Sequence, residues 1–171
     1  RNGVKKDFSK IKLFAMDVDG TLTDGKIYIG NDGEVMKAFN AKDGLGIKLL
    51  IKKGIVPIII TGRRSKIVTR RCEEIGITVL YQGVRDKADI LKNVMAKYDC
   101  TPEQTVYIGD DMNDLSAMQT AGITFAPADC AAALLPYVDF VLTQKSGDAP
   151  VREAIDIILE NRLTLSDYES I

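Results

Sequence analysis

Residues 15–27 read AMDVDGTLTDGKI, and the fold turns on what this stretch is. Gly20, Gly25 and Lys26 have the G-x-x-x-x-G-K spacing of a phosphate-cradling nucleotide loop. Asp17 and Asp19, however, put two carboxylates where such a cradle presents backbone N–H groups. A nucleotide loop also needs Ser or Thr after its lysine to hold the cation, and position 27 is Ile. It should lead into a helix, yet Lys26 opens an alternating segment that reads as a strand. The stretch is therefore a strand end carrying acids, and the buried strand before it covers 12–16 (KLFAM).

Outward from there, apolar runs alternate with amphipathic stretches. Short strands over 26–29 and 34–39 flank Gly30-Asn31-Asp32-Gly33, a hairpin signal, so 24–40 is a small β-hairpin. Asp43 is placed to cap a helix over 45–53, closed by Gly54. The run 55–60 (IVPIII) is a strand covered on both faces. Helices follow over 65–76, 86–98, 113–122 and 150–161, and strands over 78–81, 105–108, 123–126 and 140–142. Residues 162–171 form a tail. This pattern is α/β: a Rossmann-like, three-layer α/β/α arrangement with a central parallel sheet, plus a hairpin after strand one. It suits a single domain over 1–171, since 171 residues bury a substantial core.

Composition removes several chemistries. The chain has no histidine, which excludes Ser-His-Asp catalysis, His-ligated zinc and phosphohistidine enzymes. A cysteine phosphatase needs arginine six residues past its nucleophile; past Cys72, Cys100 and Cys130 those positions are Thr78, Val106 and Pro136. The three thiols form no metal motif and fit a reduced, cytoplasmic compartment. A net charge of −1, with dispersed Lys and Arg, points to neither nucleic acid nor a membrane surface. No signal peptide and no membrane-spanning run is expected.

In open parallel sheets, ligands bind at the carboxyl ends of strands. Strand one ends in Asp17-Val18-Asp19-Gly20-Thr21, and the 55–60 strand in Thr61-Gly62-Arg63. The 105–108 strand ends in Gly109-Asp110-Asp111-Met112-Asn113-Asp114, and Lys87 opens a helix. Crowded carboxylates repel unless a cation sits among them, and hard oxygen ligands without His or Cys select Mg²⁺. The constellation is one for metal-centred phosphoryl transfer.

D-x-D-G-T, Thr-Gly, a helix-start Lys and G-D-D-x-x-D, in this order from Asp17 to Asp114, resemble the four motifs of haloacid dehalogenase superfamily phosphatases. The resemblance implies Asp17 as nucleophile, Asp19 as general acid and base, and Thr61 and Lys87 as holders of phosphoryl oxygens. It implies Mg²⁺ on Asp17, the Asp19 carbonyl and Asp110, with Asp111 and Asp114 as supports or alternative ligands. Only a hairpin follows Asp24, and only 25 residues separate Thr61 from Lys87, so no cap domain fits.

Longer wording narrows the family. Residues 19–50, 60–83 (ITGRRSKIVTRRCEEIGITVLYQG), 107–118 (YIGDDMNDLSAM) and 151–159 (VREAIDIIL) resemble 3-deoxy-D-manno-octulosonate 8-phosphate phosphatases. This implies a small phosphorylated 2-keto-3-deoxy sugar acid as substrate, a homotetramer whose neighbours close each site, and a place in lipopolysaccharide precursor synthesis. Gly62, Arg63, Arg71 and Asn113 join Thr61 and Lys87 as substrate-binding candidates, Arg71 from an adjacent subunit. Relatives acting on nononate 9-phosphates are the alternative, and they tend to be acidic where Arg63 stands. The family's glycine-rich G-G-x-G-A-V-R-E appears here as Ser146-Gly147-Asp148-Ala149-Pro150-Val151-Arg152-Glu153, a stiffer loop. From other classes, a receiver domain would place its phospho-accepting Asp at the end of a middle strand, where Thr61 stands. A catalytically silent regulatory domain is disfavoured because Asp17 and Asp19 are both intact.

Overall fold

The computed structural model describes residues 5–171; residues 1–4 of the expected 1–171 unit lie outside them. Strand β1 is Leu13–Met16, and β2 (Tyr28–Gly30) and β3 (Gly33–Met36) make the hairpin. Then come α1 (Ala41–Lys52), β4 (Val56–Ile60), α2 (Lys66–Ile75), β5 (Val79–Tyr81) and α3 (Lys87–Lys97). They are followed by β6 (Thr105–Ile108), α4 (Leu115–Thr120), β7 (Ile123–Ala126), β8 (Phe140–Val141) and α5 (Pro150–Ile158).

Six strands form one parallel sheet in the order β5-β4-β1-β6-β7-β8. The chain leaves β1 toward β4 and β5, then crosses back to β6, so the strand order reverses beside β1. A crevice opens at such a reversal, outside the strands' carboxyl ends. That is where Asp17 stands.

The strands of the sheet are almost wholly apolar because both faces are covered. Phe14, Met16, Ile59, Val106 and Ile108 point to one side, against Ile47 and Leu50 of α1, Val68 of α2 and Ile155 of α5. Leu13, Ala15, Ile58, Ile60 and Tyr107 point to the other, against Leu91 and Val94 of α3 and Met118 of α4. The alternation within four residues of β1 follows from the period of two in a strand. These are the three expected layers.

The hairpin stands apart from the sheet as two antiparallel strands. Its apolar side chains are unusually bare: Ile29 is 72% exposed and Val35 62%.

Three local expectations are corrected, and one element is added. Asn40, not Asp43, caps α1: its side chain accepts from the Lys42 N–H at 2.9 Å. Asp43 falls inside the first turn, because its carboxylate is taken by the N–H of Arg152 at the start of α5. The helix expected over 113–122 begins as a 3-10 turn, Met112–Asp114, and only Leu115–Thr120 is α-helical. The Asp114 side chain bends that turn by accepting from the N–H groups of Asp110 and Asp111. Helix α5 ends at Ile158 rather than 161, and Asn161 has a left-handed φ of 61°. A 3-10 turn at Ala132–Tyr137 was not legible, since its short apolar run has no period.

The tail folds back on its own chain. Lys52 donates to the carbonyls of Asp167 and Glu169 at 2.8 and 2.7 Å, and Ile171 packs against the core.

Candidate active site

Four segments converge at the carboxyl edge of the sheet. The first is the turn after β1. The Asp17 N–H continues the β1–β6 ladder to the carbonyl of Ile108 at 3.2 Å, so the backbone of the turn is anchored on the sheet. Its Oδ1 accepts from the Val18 N–H at 2.8 Å. The N–H groups of Thr21 and Thr23 both return to the Val18 carbonyl, winding residues 18–23 into a tight loop. Gly20 has φ of 84°, and a methyl group there would overlap the Asp110 carboxylate. Glycine is required on both counts.

The second segment follows β4. The Thr61 N–H donates to Tyr81 and its carbonyl accepts from Val84, so Thr61 is locked on the sheet end and 2% exposed. The third is the start of α3, capped by Asp86, where Lys87 is only 2% exposed. The fourth is Gly109–Asp114 after β6. A methyl group at Gly109 would overlap Asp114, so this glycine lets the carboxylate tuck beneath the backbone.

Asp114 is the hub of this arrangement. Its Oδ1 accepts from Lys87 Nζ at 2.8 Å and from the Tyr107 hydroxyl. Its Oδ2 accepts from the N–H groups of Asp110 and Asp111 at 2.9 and 3.3 Å. Lys87 Nζ is also 3.2 Å from Asp17 Oδ1. A buried ammonium between two carboxylates is thus paired on both sides, which offsets its desolvation.

Carboxylate oxygens of Asp17, Asp110 and Asp114 lie within 4.8 Å of one another. A carboxylate has about four lone-pair sites, and four donors already occupy Asp114. The oxygens left for a hard divalent cation are those of Asp17 and Asp110. Burial, then the charge of Asp114, pushes Asp17 up to about 6 despite the opposing pull of Lys87 and the Val18 N–H. Burial, then the charges of Asp114, Asp17 and Asp111, pushes Asp110 up to about 8. A cation between these two would reverse both shifts, and an all-oxygen donor set fits Mg²⁺.

An open cleft of about 240 Å³ lies above this cluster. It is lined by Asp17, Asp19, Thr61, Gly62, Arg63, Asp110, Asp111 and Asn113, every one a candidate from the sequence. A larger groove of about 1100 Å³ runs beside α1 and α5 and shares no lining residue with the cleft. Volume alone does not locate the chemistry here; the carboxylates do. Lys87 and Asp114 sit below the cleft floor rather than on it.

Arg71 does not reach this cleft in its own chain. Its guanidinium stacks over the Phe39 ring at 5.7 Å and pairs with Glu74 at 3.4 Å. Two residues of the site were not anticipated. Tyr107 was hidden in an apolar run, where its ring is core and only its hydroxyl is polar. Lys37, just past β3, donates to Asp19 Oδ1 at 2.6 Å. A hairpin lysine reads as solvated; its one signal is that the hairpin must return to the sheet edge at this point.

The model of the haloacid dehalogenase-like hydrolase family matches residues 76–155. KdsC of Yersinia pestis, a 3-deoxy-D-manno-octulosonate 8-phosphate phosphatase, is 46% identical over 151 residues, covering 88% of this chain and 81% of the relative. The crystal structure of the phosphatase from that organism has a TM-score of 0.88 at 44% identity, covering 95% of this chain and 86% of that one. The Moraxella catarrhalis phosphatase, solved with a magnesium ion, a phosphate ion and a KDO molecule, has a TM-score of 0.86 at 40% identity, covering 90% and 88%. With its motifs on the matching strand ends, the chain belongs to the haloacid dehalogenase-like hydrolases, in the family of the 3-deoxy-D-manno-octulosonate 8-phosphate phosphatases.

Proposed function

We propose that this chain is a Mg²⁺-dependent phosphomonoesterase that converts 3-deoxy-D-manno-octulosonate 8-phosphate to the free sugar acid and phosphate. The observation that carries this reading is the convergence of Asp17, Asp19, Thr61 and Asp110 on one cleft, above the buried Lys87–Asp114 pair. Asp17, Asp110 and the carbonyl of Asp19 would hold the cation, which, when bound, neutralises the charge of the phosphoryl oxygens.

A carboxylate is a weak nucleophile, so its position and the local charge must do most of the work. Asp17 attacks phosphorus in line and forms an acyl phosphate. The bond to the sugar oxygen breaks, and that oxygen takes a proton from Asp19. Water then attacks the same phosphorus while Asp19 takes its proton, and the electron pair of the acyl P–O bond returns to Asp17. Thr61 holds phosphoryl oxygens at the cleft wall, while Lys87, beneath the floor, fixes the plane of the Asp17 carboxylate and sets a positive charge under the phosphoryl group. Asp111 and Asp114 orient the loop that presents Asp110.

Without a cap, the cleft is open on one side. Neighbouring copies are the natural cover, and the bare apolar hairpin is the surface for them, in a homotetramer. Arg71 then faces a neighbour's cleft, where its fork suits a 2-keto acid carboxylate. The exposed Arg63 at the cleft mouth favours octulosonate over nononate substrates, and Gly62 and Asn113 complete the contact surface. A cytoplasmic setting in lipopolysaccharide precursor synthesis follows from this substrate. No helix among the described residues is long and apolar enough to cross a membrane.

One experiment tests the whole reading: kcat/KM for octulosonate 8-phosphate, nononate 9-phosphate and hexose phosphates, with and without Mg²⁺, alongside sedimentation. Octulosonate 8-phosphate is expected to lead, with activity lost without Mg²⁺ or in Asp17→Asn. A hexose phosphate preference overturns the substrate and leaves the mechanism. An active monomer overturns the assembly. Full activity in Asp17→Asn overturns the mechanism, and no turnover of any of these phosphates by the wild type overturns the enzyme reading in favour of a silent or receiver-like domain.

A further inference from the structure

Lys37 is the buried cation of this site that the mechanism has not used. It stands one residue past β3, where the hairpin turns back toward the sheet, and its side chain is only 4% exposed. Its Nζ donates to Asp19 Oδ1 at 2.6 Å and lies 3.1 Å from Glu34 Oε1. A lysine ammonium is strongly hydrated and flexible, so it is rarely buried unless its partners hold it. Anchoring a hairpin does not require that the anchor be the carboxylate that moves protons. Glu34 alone, three residues earlier on β3, pairs with Lys37 without involving Asp19. The contact with Asp19 is therefore the feature to explain.

The two oxygens of Asp19 are treated differently. Oδ1 is engaged by a buried lysine. Among the described residues, Oδ2 has only Arg63 Nε at 4.0 Å, on a side chain that is 46% exposed at the cleft mouth. A carboxyl group that must give a proton to a leaving oxygen and then take one from water needs one oxygen free and facing the reaction. It also needs to return to one place between the two steps.

We propose that Lys37 is a positioning residue for Asp19: by engaging Oδ1 it leaves Oδ2 as the oxygen that carries the proton in both steps. This rests on the phosphatase reading above and deepens it. In the first step the P–O bond to the sugar breaks, its electron pair goes to the leaving oxygen, and the proton on Oδ2 follows. Asp19 is left as a carboxylate, paired through Oδ1 with the Lys37 ammonium. In the second step the water oxygen bonds to phosphorus, and its proton returns to Oδ2. Lys37 keeps its own protons throughout. Because Lys37 sits at the base of the hairpin, the element with the bare apolar face also sets the geometry of the proton carrier.

The test uses two leaving groups that differ in their need for a proton. A sugar alkoxide needs one; p-nitrophenolate leaves without it. In the full chain with Mg²⁺, rapid-quench kinetics are measured on the octulosonate phosphate and on p-nitrophenyl phosphate. Loss of a positioned acid–base group is worth about 10²-fold or more. Lys37→Met is expected to slow sugar phosphate cleavage by about that factor. The first equivalent of p-nitrophenolate should still appear at nearly the wild-type rate, followed by slow turnover, so a burst emerges. Lys37→Arg should recover most of the loss. The double variant Lys37→Met with Asp19→Asn should be no slower than Asp19→Asn alone, since the two act through one group.

An equal slowing of both leaving groups, or additive losses in the double variant, overturns the proposal and leaves Lys37 as a structural anchor. Unchanged kinetics overturn it too. If Lys37→Met fails to fold, Lys37→Gln is put through the same measurements with the same criteria. Absence of Mg²⁺-dependent release from either compound by the wild-type chain overturns the phosphatase reading itself.

Discussion

Asp114 and Asp43 are both buried aspartates, at 0% and 2% exposure, and they have opposite surroundings. Asp114 lies under the cleft and receives four donors, two on each oxygen: Lys87, Tyr107 and the N–H groups of Asp110 and Asp111. Asp43 lies in the first turn of α1. Its Oδ1 accepts the Arg152 N–H at 2.8 Å, and its Oδ2 has no hydrogen-bond partner among the described residues. A saturated carboxylate fixes everything that donates to it. A half-satisfied one costs free energy that the fold recovers elsewhere. The first arrangement suits a site that must hold several groups still. The second makes stability depend on proton concentration.

Asp114→Asn breaks the saturated side, with the largest expected effect. Whichever way the amide turns, its NH2 faces donors. Lys87 is then left leaning on Asp17 alone, and breaking a buried pair costs about 3 kcal/mol or more. The Asp110 loop loses the acceptor that shapes it, and a displacement of about 1 Å in such a site costs about 10²-fold in rate. Urea melts and kcat measured together check this. A variant that keeps wild-type kcat would show that Asp114 serves packing only.

Asp43→Asn sharpens the other side, with a smaller effect and a definite sign. Burial pushes the Asp43 carboxyl up to about 7, outweighing the Arg152 N–H and the charges of Arg71 and Arg152. The folded chain therefore holds this proton more tightly than the unfolded chain does. The stabilisation is complete below the ordinary carboxylate range and is lost as pH rises through about 7. The neutral amide keeps an acceptor for Arg152 and has no proton to lose. Stability of the wild type relative to Asp43→Asn should thus fall by about 2 kcal/mol between pH 5 and pH 8. Urea midpoints of both chains in saturating Mg²⁺ measure it, since the cation removes Asp17 and Asp110 from the comparison. A pH-independent difference would mean that water or a partner reaches Oδ2.

The same contrast explains what could be read from the sequence. Asp17, Asp19, Thr61, Gly62, Arg63, Asp110, Asp111 and Asn113 all follow directly after strands, and the topology of a parallel sheet brings strand ends together. Local order was enough to predict that they meet. Lys37 meets Asp19 only because a hairpin folds back, and nothing in the spacing of the two residues reports that turn. The Asp43–Arg152 bond joins positions 109 apart. An aspartate near a helix start reads as a cap, but α5 claims Asp43 and leaves Asn40 to cap α1. Tyr107 shows the same limit within a strand, where an apolar pattern conceals one hydroxyl. The fold's layers were legible because burial on two faces leaves continuous apolar runs. The short helices were not, because side-chain hydrogen bonds set their ends.

The smallest effect concerns what Asp43 does for α5. Ala149 occupies the cap position of that helix with φ of 67° and has no side-chain oxygen to offer. Arg152 is the third residue of the helix, and its N–H is the one a cap would satisfy. Asp43 supplies that acceptor from another helix. The left-handed backbone at Ala149 remains strained, by about 1 kcal/mol for a residue with a Cβ. Ala149→Gly removes the strain but gives the unfolded chain more freedom, which takes back about half or more of the gain. A net stabilisation of about 0.5 kcal/mol is expected, or a Tm rise of about 1–2 °C for a chain of this size. The same gain should appear in an Asp43→Asn background, because the amide still accepts from Arg152 and the two changes act on different atoms. A loss of Tm in Ala149→Gly would show that the stiffness of residues 146–150 outweighs the strain, and that this loop holds α5 in place as much as the borrowed cap does.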